Sequence, residues 1–201
     1  MPTTTDDFVT EEAYLVAEPQ SEYKSEYRRG RVVAMAGASD AHMQISSNIH
    51  GELYVRLKGS PCRVFTNDVR VRASEGKYYT YPDVAVVCGK VAFRPPIDTL
   101  ENPTLIIEVL SPSTEAYDRG EKFEAYKTIP TLREYVLVRQ DRVHVERFVR
   151  QTNGAWVVSA VDSLDAEIAF EALGCQVPVK DVYAGVTFLP ADNRRPTPGT
   201  R

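Results

Sequence analysis

Two stretches of this 201-residue chain, 84–87 (VAVV) and 105–110 (LIIEVL), are apolar at almost every position. Short continuous apolar runs of this kind read as strands buried in a core. Each is marked by one carboxylate that does not fit. Asp83 stands at the mouth of the first run, directly after Pro82, and Glu108 sits inside the second. Alternation along a strand puts Glu108 on the same face as Ile106 and Leu110. A carboxylate there is costly to bury unless it is paired or bound to a metal. Pro-Asp alone is common turn chemistry, so Asp83 gains meaning only together with Glu108. If the two strands are neighbours, the side chains can converge on one divalent ion. Hard oxygen donors of this type suit magnesium or manganese.

The surrounding pattern is mixed α/β. The segment SDAHMQISSNIHGELYVRLKG is the strongest helix signal, because Ile45, Ile49, Leu53 and Leu57 recur every four residues. Ser39 or Asp40 is placed to cap it, and Gly59 and Pro61 end it. DDFVTEEAYLVAE has a helical pattern that Pro19 stops, and SEYKSEYRRG reads as a short helix ending at Gly30. RVVAMAG, CRVFTND, VRVRA, YYTYPDVAVVC, LREYVLVRQ, RVHVERFVR and AWVVSAV read as strands, with PSTEAYDRGEKFEAYKTI as one helix. One central sheet flanked by helices is the economical architecture, in a single domain over residues 1–189. Residues 190–201 carry too little apolar content to fold and are expected to be a mobile tail.

Charge and cysteines narrow the function classes. A net charge of −4 argues against a protein that coats DNA. It leaves room for a nuclease, whose metal ligands are acidic and whose basic surface is local. RRGR at 28–31 and VRVRA at 69–73 are the compact basic stretches, and Arg70 and Arg72 share one strand face, available to phosphates or to water. Cys62, Cys88 and Cys175 are odd in number and widely spaced, so neither a disulfide framework nor a zinc site is expected, and a reducing compartment fits. No secretory signal and no apolar run of about 20 residues is present, so the expected setting is the cytoplasm, away from membranes.

Asp118 and Lys122 lie four apart on the helix expected after Glu108. As a solvated pair they would contribute only about 0.3–0.5 kcal/mol. The functional reading is a lysine pointed at a metal-bound nucleophile or at a phosphate. His144, between Val143 and Val145, is expected to face solvent, and His50 looks ordinary.

Taken in order, SEYRRGRVVAMAGASDAHMQISSNIHGEL, YPDVAVVC, NPTLIIEVLSPST and DRGEKFEAYKTIPTLREYVLV resemble the Uma2 family of restriction-endonuclease-like proteins. The resemblance covers roughly residues 10–185. It implies the PD-(D/E)xK nuclease fold, a mixed central sheet flanked by helices, and a Mg2+- or Mn2+-dependent phosphodiesterase site acting on nucleic acid, with DNA the expected substrate. Asp83 then matches the aspartate of the motif and Glu108 the second acidic ligand, with the backbone carbonyl of Val109 beside them. The usual pattern wants a lysine two residues after Glu108, where this chain has Leu110. The resemblance assigns that charge to Lys122, on the following helix. Glu26 matches a family glutamate near the metal, and His42 a recurrent family histidine. Cutting two strands with a one-site domain makes a homodimer the expected assembly. The rival reading is a non-catalytic nucleic-acid or protein interaction module that keeps the fold around a degenerate site, and Leu110 is its best support.

Overall fold

The computed structural model describes residues 8–95 and 99–188. In chain order the elements are α1 (Glu11–Ala17), β1 (Ser25–Arg28), β2 (Arg31–Ala34), α2 (Asp40–Arg56), β3 (Cys62–Thr66), β4 (Arg70–Ala73), β5 (Tyr78–Thr80), β6 (Val84–Cys88), β7 (Phe93–Arg94), β8 (Thr99–Leu100) and β9 (Leu105–Leu110). They continue with α3 (Glu115–Arg119), α4 (Glu121–Tyr126), β10 (Glu134–Arg139), β11 (Val145–Arg150), β12 (Trp156–Val161), β13 (Glu167–Phe170), β14 (Cys175–Pro178) and α5 (Val179–Val182).

The strands form two mixed six-stranded sheets, ordered β2-β1-β5-β4-β8-β7 and β12-β11-β10-β9-β6-β3, with β13 and β14 as a separate pair. The fold is therefore the expected mixed α+β class, with a second large sheet where one was anticipated. The reason lies at Tyr81-Pro82-Asp83. YYTYPDVAVVC reads as one strand, but β5 pairs with β1 and β4 in the first sheet, whereas β6 pairs with β3 and β9 in the second. Pro82 has no N–H to give to a ladder, and the chain changes sheets there.

Alternation sorts the second sheet's two faces. Val84, Val86, Leu105, Ile107, Val109, Val136 and Val138 pack with Ile45, Ile49, Leu53 and Leu57, the apolar stripe of α2. On the opposite face, Ala85, Val87, Ile106, Leu110, Tyr135 and Leu137 pack with Phe123 and Tyr126 of α4 and with Val71 and Tyr78 of the first sheet. Covered on both faces, the central strands have no polar side to show, which is why their sequence is almost continuously apolar. Glu108 belongs to the second of these faces.

Four local expectations are corrected. SEYKSEYRRG forms no helix at its end: Ser25–Arg28 is a strand, hairpinned to β2 with Arg28 opposite Arg31. The two-residue loop is Arg29 at φ 49° and Gly30 at φ 91°, the left-handed pair that suits the twist of a tight hairpin. PSTEAYDRGEKFEAYKTI is two short helices broken at Gly120, where a Cβ would sit 3.0 Å from the Ala116 carbonyl. Cys62 and Cys88 are disulfide-bonded, because they are register partners on β3 and β6, a proximity that spacing alone does not reveal. His144 does not face solvent: its ring lies between Glu146 and Asp162, and Nε2 is 2.7 Å from Glu146 Oε1. The 190–201 tail lies outside the described residues.

Candidate active site

Asp83 and Glu108 meet through strand pairing. Val84 is the register partner of Ile107, so the residue before the one lies beside the residue after the other on antiparallel neighbours. Asp83 Oδ2 accepts a 2.7 Å hydrogen bond from the Val109 N–H, which ties the carboxylate to the backbone of β9. The same oxygen lies 3.2 Å from His42 Nε2. His42 occupies the first turn of α2, where its own N–H is capped by Ser39 Oγ at 3.1 Å. Burial of the imidazole opposes its charge. The Asp83 hydrogen bond and charge, the Asp118 charge and the Val109 carbonyl outweigh that and raise its pKa above the ordinary 6.5.

Glu108 is buried, and its contacts converge on one oxygen. Lys122 Nζ is 2.7 Å from Oε1 and the Tyr126 hydroxyl donates to the same atom at 3.0 Å. Tyr126 is in turn 2.7 Å from Thr80 Oγ1. Removal from water pushes the Glu108 carboxyl well above the usual carboxylate range, against the pull of Lys122.

Lys122 is the hub. Its ammonium also lies 3.2 Å from Glu26 Oε1 and 3.4 Å from Asp118 Oδ1. The alternative of a solvated Asp118–Lys122 pair does not hold, because both residues are buried. Burial works against the ammonium, yet Glu108, Glu26, Tyr126 and Asp118 together hold its pKa well above 10.5.

Glu26, delivered by β1, bridges two cations. Its Oε1 faces Lys122 and its Oε2 accepts from Arg28 Nη2 at 2.7 Å, while the Arg28 guanidinium lies 3.5 Å from the Tyr117 ring centroid. Tyr126, Arg28 and Tyr117 are site neighbours that motif reasoning did not single out. Tyr126 carries a usable signal, since it is four residues beyond Lys122 on the same inward helix face. Arg70 and Arg72 do not serve a phosphate face. Arg70 is fully buried against Tyr14, Tyr79 and Thr99, and Arg72 contacts Tyr79 and lies near Glu11 and Glu101.

The carboxylates of Asp83 and Glu108 and the Val109 carbonyl are hard oxygen groups, the donor type that divalent magnesium or manganese takes. The hydrogen bonds to Asp83 gather on Oδ2 and those to Glu108 on Oε1, so Oδ1 and Oε2 lie outside these contacts. Among the described residues no three His, Cys, Asp or Glu side chains stand as a ready metal cage. In this arrangement the ammonium of Lys122 neutralises Glu108.

A crystal structure from Anabaena variabilis, described as "a putative nuclease belonging to DUF820", superposes with a TM-score of 0.71 at 19% identity, covering 87% of this chain and 97% of that one. This chain thus shares the α+β fold of that protein. Two Synechocystis sp. proteins, slr1290 and sll1609, both described as uncharacterized, are each 33% identical to it. The first aligns over 88% of this chain and 92% of its own length, the second over 85% and 97%. Residues 11–180 match the Uma2 family, described as "Putative restriction endonuclease", and the chain belongs to that family.

Proposed function

We propose that the chain is a divalent-metal-dependent endonuclease that hydrolyses phosphodiester bonds in DNA. Asp83 and Glu108, with the Val109 carbonyl, are its metal donors, and Lys122 is its catalytic cation. The observation that carries this reading is the meeting of Asp83 and Glu108 across paired strands, with Lys122 on Glu108 from a separate helix. An ammonium group acts from wherever its nitrogen is held, so α4 supplies the charge that Leu110 cannot.

Magnesium or manganese bound there would lower the pKa of a water and polarise the scissile phosphate. The chain's own groups divide the remaining work. The Val109 N–H fixes the orientation of Asp83, and Tyr126 fixes that of Glu108. Glu26 and Asp118 keep Lys122 protonated, so a fixed positive charge is ready to neutralise the attacked phosphate. Glu26 is itself steadied by Arg28. A homodimer belongs to the same reading, since one site per chain cuts one strand of a duplex.

The test is incubation of the purified protein with supercoiled plasmid, single-stranded DNA and RNA, each with Mg2+, with Mn2+ and with excess chelator. Metal-dependent cleavage of DNA that chelation abolishes is the expected result. Binding without cleavage in either metal favours the degenerate interaction module, the reading that Leu110 and the neutralised Glu108 support.

A further inference from the structure

Resting on the homodimer of the nuclease reading, we propose that two copies of the chain pair along the open edge of β12, antiparallel about a two-fold axis, and so join their second sheets into one. Among the described residues the two large sheets end at β2, β7, β12 and β3, and these edges differ in what they present. β2, β7 and β3 each carry an arginine: Arg31, Arg94 and Arg63. β12 is the longest of the four, six residues reading WVVSAV, with no charge and no proline. Charge and proline are the ordinary guards against edge pairing, and β12 has neither. Neither face of the strand is covered. Val157 and Val158 point to opposite faces and are 53% and 55% exposed.

The ladder fixes which backbone groups are open. Arg150 gives its N–H to the Arg133 carbonyl, towards β10. Hydrogen-bonded and non-bonded pairs alternate along an antiparallel ladder, so Trp156, the register partner of Arg150, turns its own N–H and C=O away from β11. Val158 and Ala160 do the same, and no described residue bonds these groups. Two copies centred on Val158 satisfy all of them. Val158 then lies opposite Val158 of the second copy, Trp156 opposite Ala160, a large side chain against a small one, and Val157 opposite Ser159. No like charges meet in this register, so the edge is complementary to itself. One edge paired with itself closes as an isologous dimer instead of growing into a fibre. The two-fold axis stands perpendicular to the joined sheet. The faces that carry Glu108 therefore lie on the same side, and one duplex can span both sites.

The test is the mass of the purified full chain by light scattering at micromolar concentration. The wild type should give twice the 22.5 kDa of one chain. Val158→Pro should give a monomer with unchanged circular dichroism, because proline removes only the outward N–H and leaves the bonds to β11 intact. Val158→Cys, purified without reductant, should run as a covalent dimer on a non-reducing gel, whereas the wild type with its free Cys175 should not. This second readout decides the matter if the proline variant fails to fold. A dimeric Val158→Pro, or a dimeric Val158→Cys that does not cross-link, overturns this interface and leaves the homodimer and the nuclease reading standing. A wild type of single-chain mass overturns the interface and the homodimer together, and metal-dependent cleavage is then judged by its own assay.

Discussion

Lys122 Nζ and Glu108 Oε1 are 2.7 Å apart, joining a two-turn helix to the central strand of a sheet inside a space closed to solvent. The pair cannot be treated as a surface ion pair. Each charge has lost its water, and each is kept tolerable by the other and by Glu26, Asp118 and Tyr126.

Removing one partner strands the rest. Lys122→Met leaves buried carboxylates uncompensated, and the expected loss in urea denaturation is about 3–5 kcal/mol. Pairing it with Glu108→Gln should recover part of that loss, because the orphaned carboxylate goes too. A single-variant loss below about 1 kcal/mol would mean that the ammonium is solvated.

Acid should weaken the protein through a second charge cluster. Arg119 Nη1 and Nη2 each lie 2.7 Å from Glu146, and this pairing, aided by His144 and opposed by burial, lowers the Glu146 pKa below 4.5. A carboxylate whose folded pKa is depressed stabilises the protein above its unfolded pKa, and that stability is lost as pH falls through the folded value. The stability gap between wild type and Glu146→Gln should therefore be present above about pH 4.5 and shrink as pH falls below it. A gap that does not change with pH would contradict the pairing.

The disulfide predicts a thiol count. Cys62 and Cys88 are bonded and Cys175 is free, so titration of the denatured, unreduced protein should return one thiol per chain, rising to three after reduction. Three thiols before reduction would contradict the bond.

The sequence makes the buried strands, the α2 stripe and the two misplaced carboxylates readable, because periodicity and burial cost are local properties. Lys122 is readable only as a charge at helical spacing. Its burial comes with the packing of Phe123 and Tyr126 of the same helix against the second sheet, which is a tertiary fact. Glu26 reads as helical from sequence because Ser, Glu, Lys and Arg are compatible with a helix, whereas it lies on β1. The hairpin signal was the Arg29-Gly30 pair, which is weaker than Asn-Gly. The second sheet was hidden because YYTYPDVAVVC is apolar across the point where it changes partners, and only Pro82 hints at the switch. The Cys62–Cys88 bond follows from cross-strand register, which spacing does not encode.

The most direct test compares single-turnover cleavage of a labelled duplex in Mn2+ by wild type and Asp83→Asn. An asparagine oxygen can still accept the Val109 N–H, so the fold should survive while the charged donor is lost. Loss of outer-shell support at metal sites already costs about 10–100-fold, so removal of a metal donor should lower the rate at least ~100-fold. The account predicts cleavage by the wild type and a drop of that size in the variant; equal rates in the two proteins would contradict it.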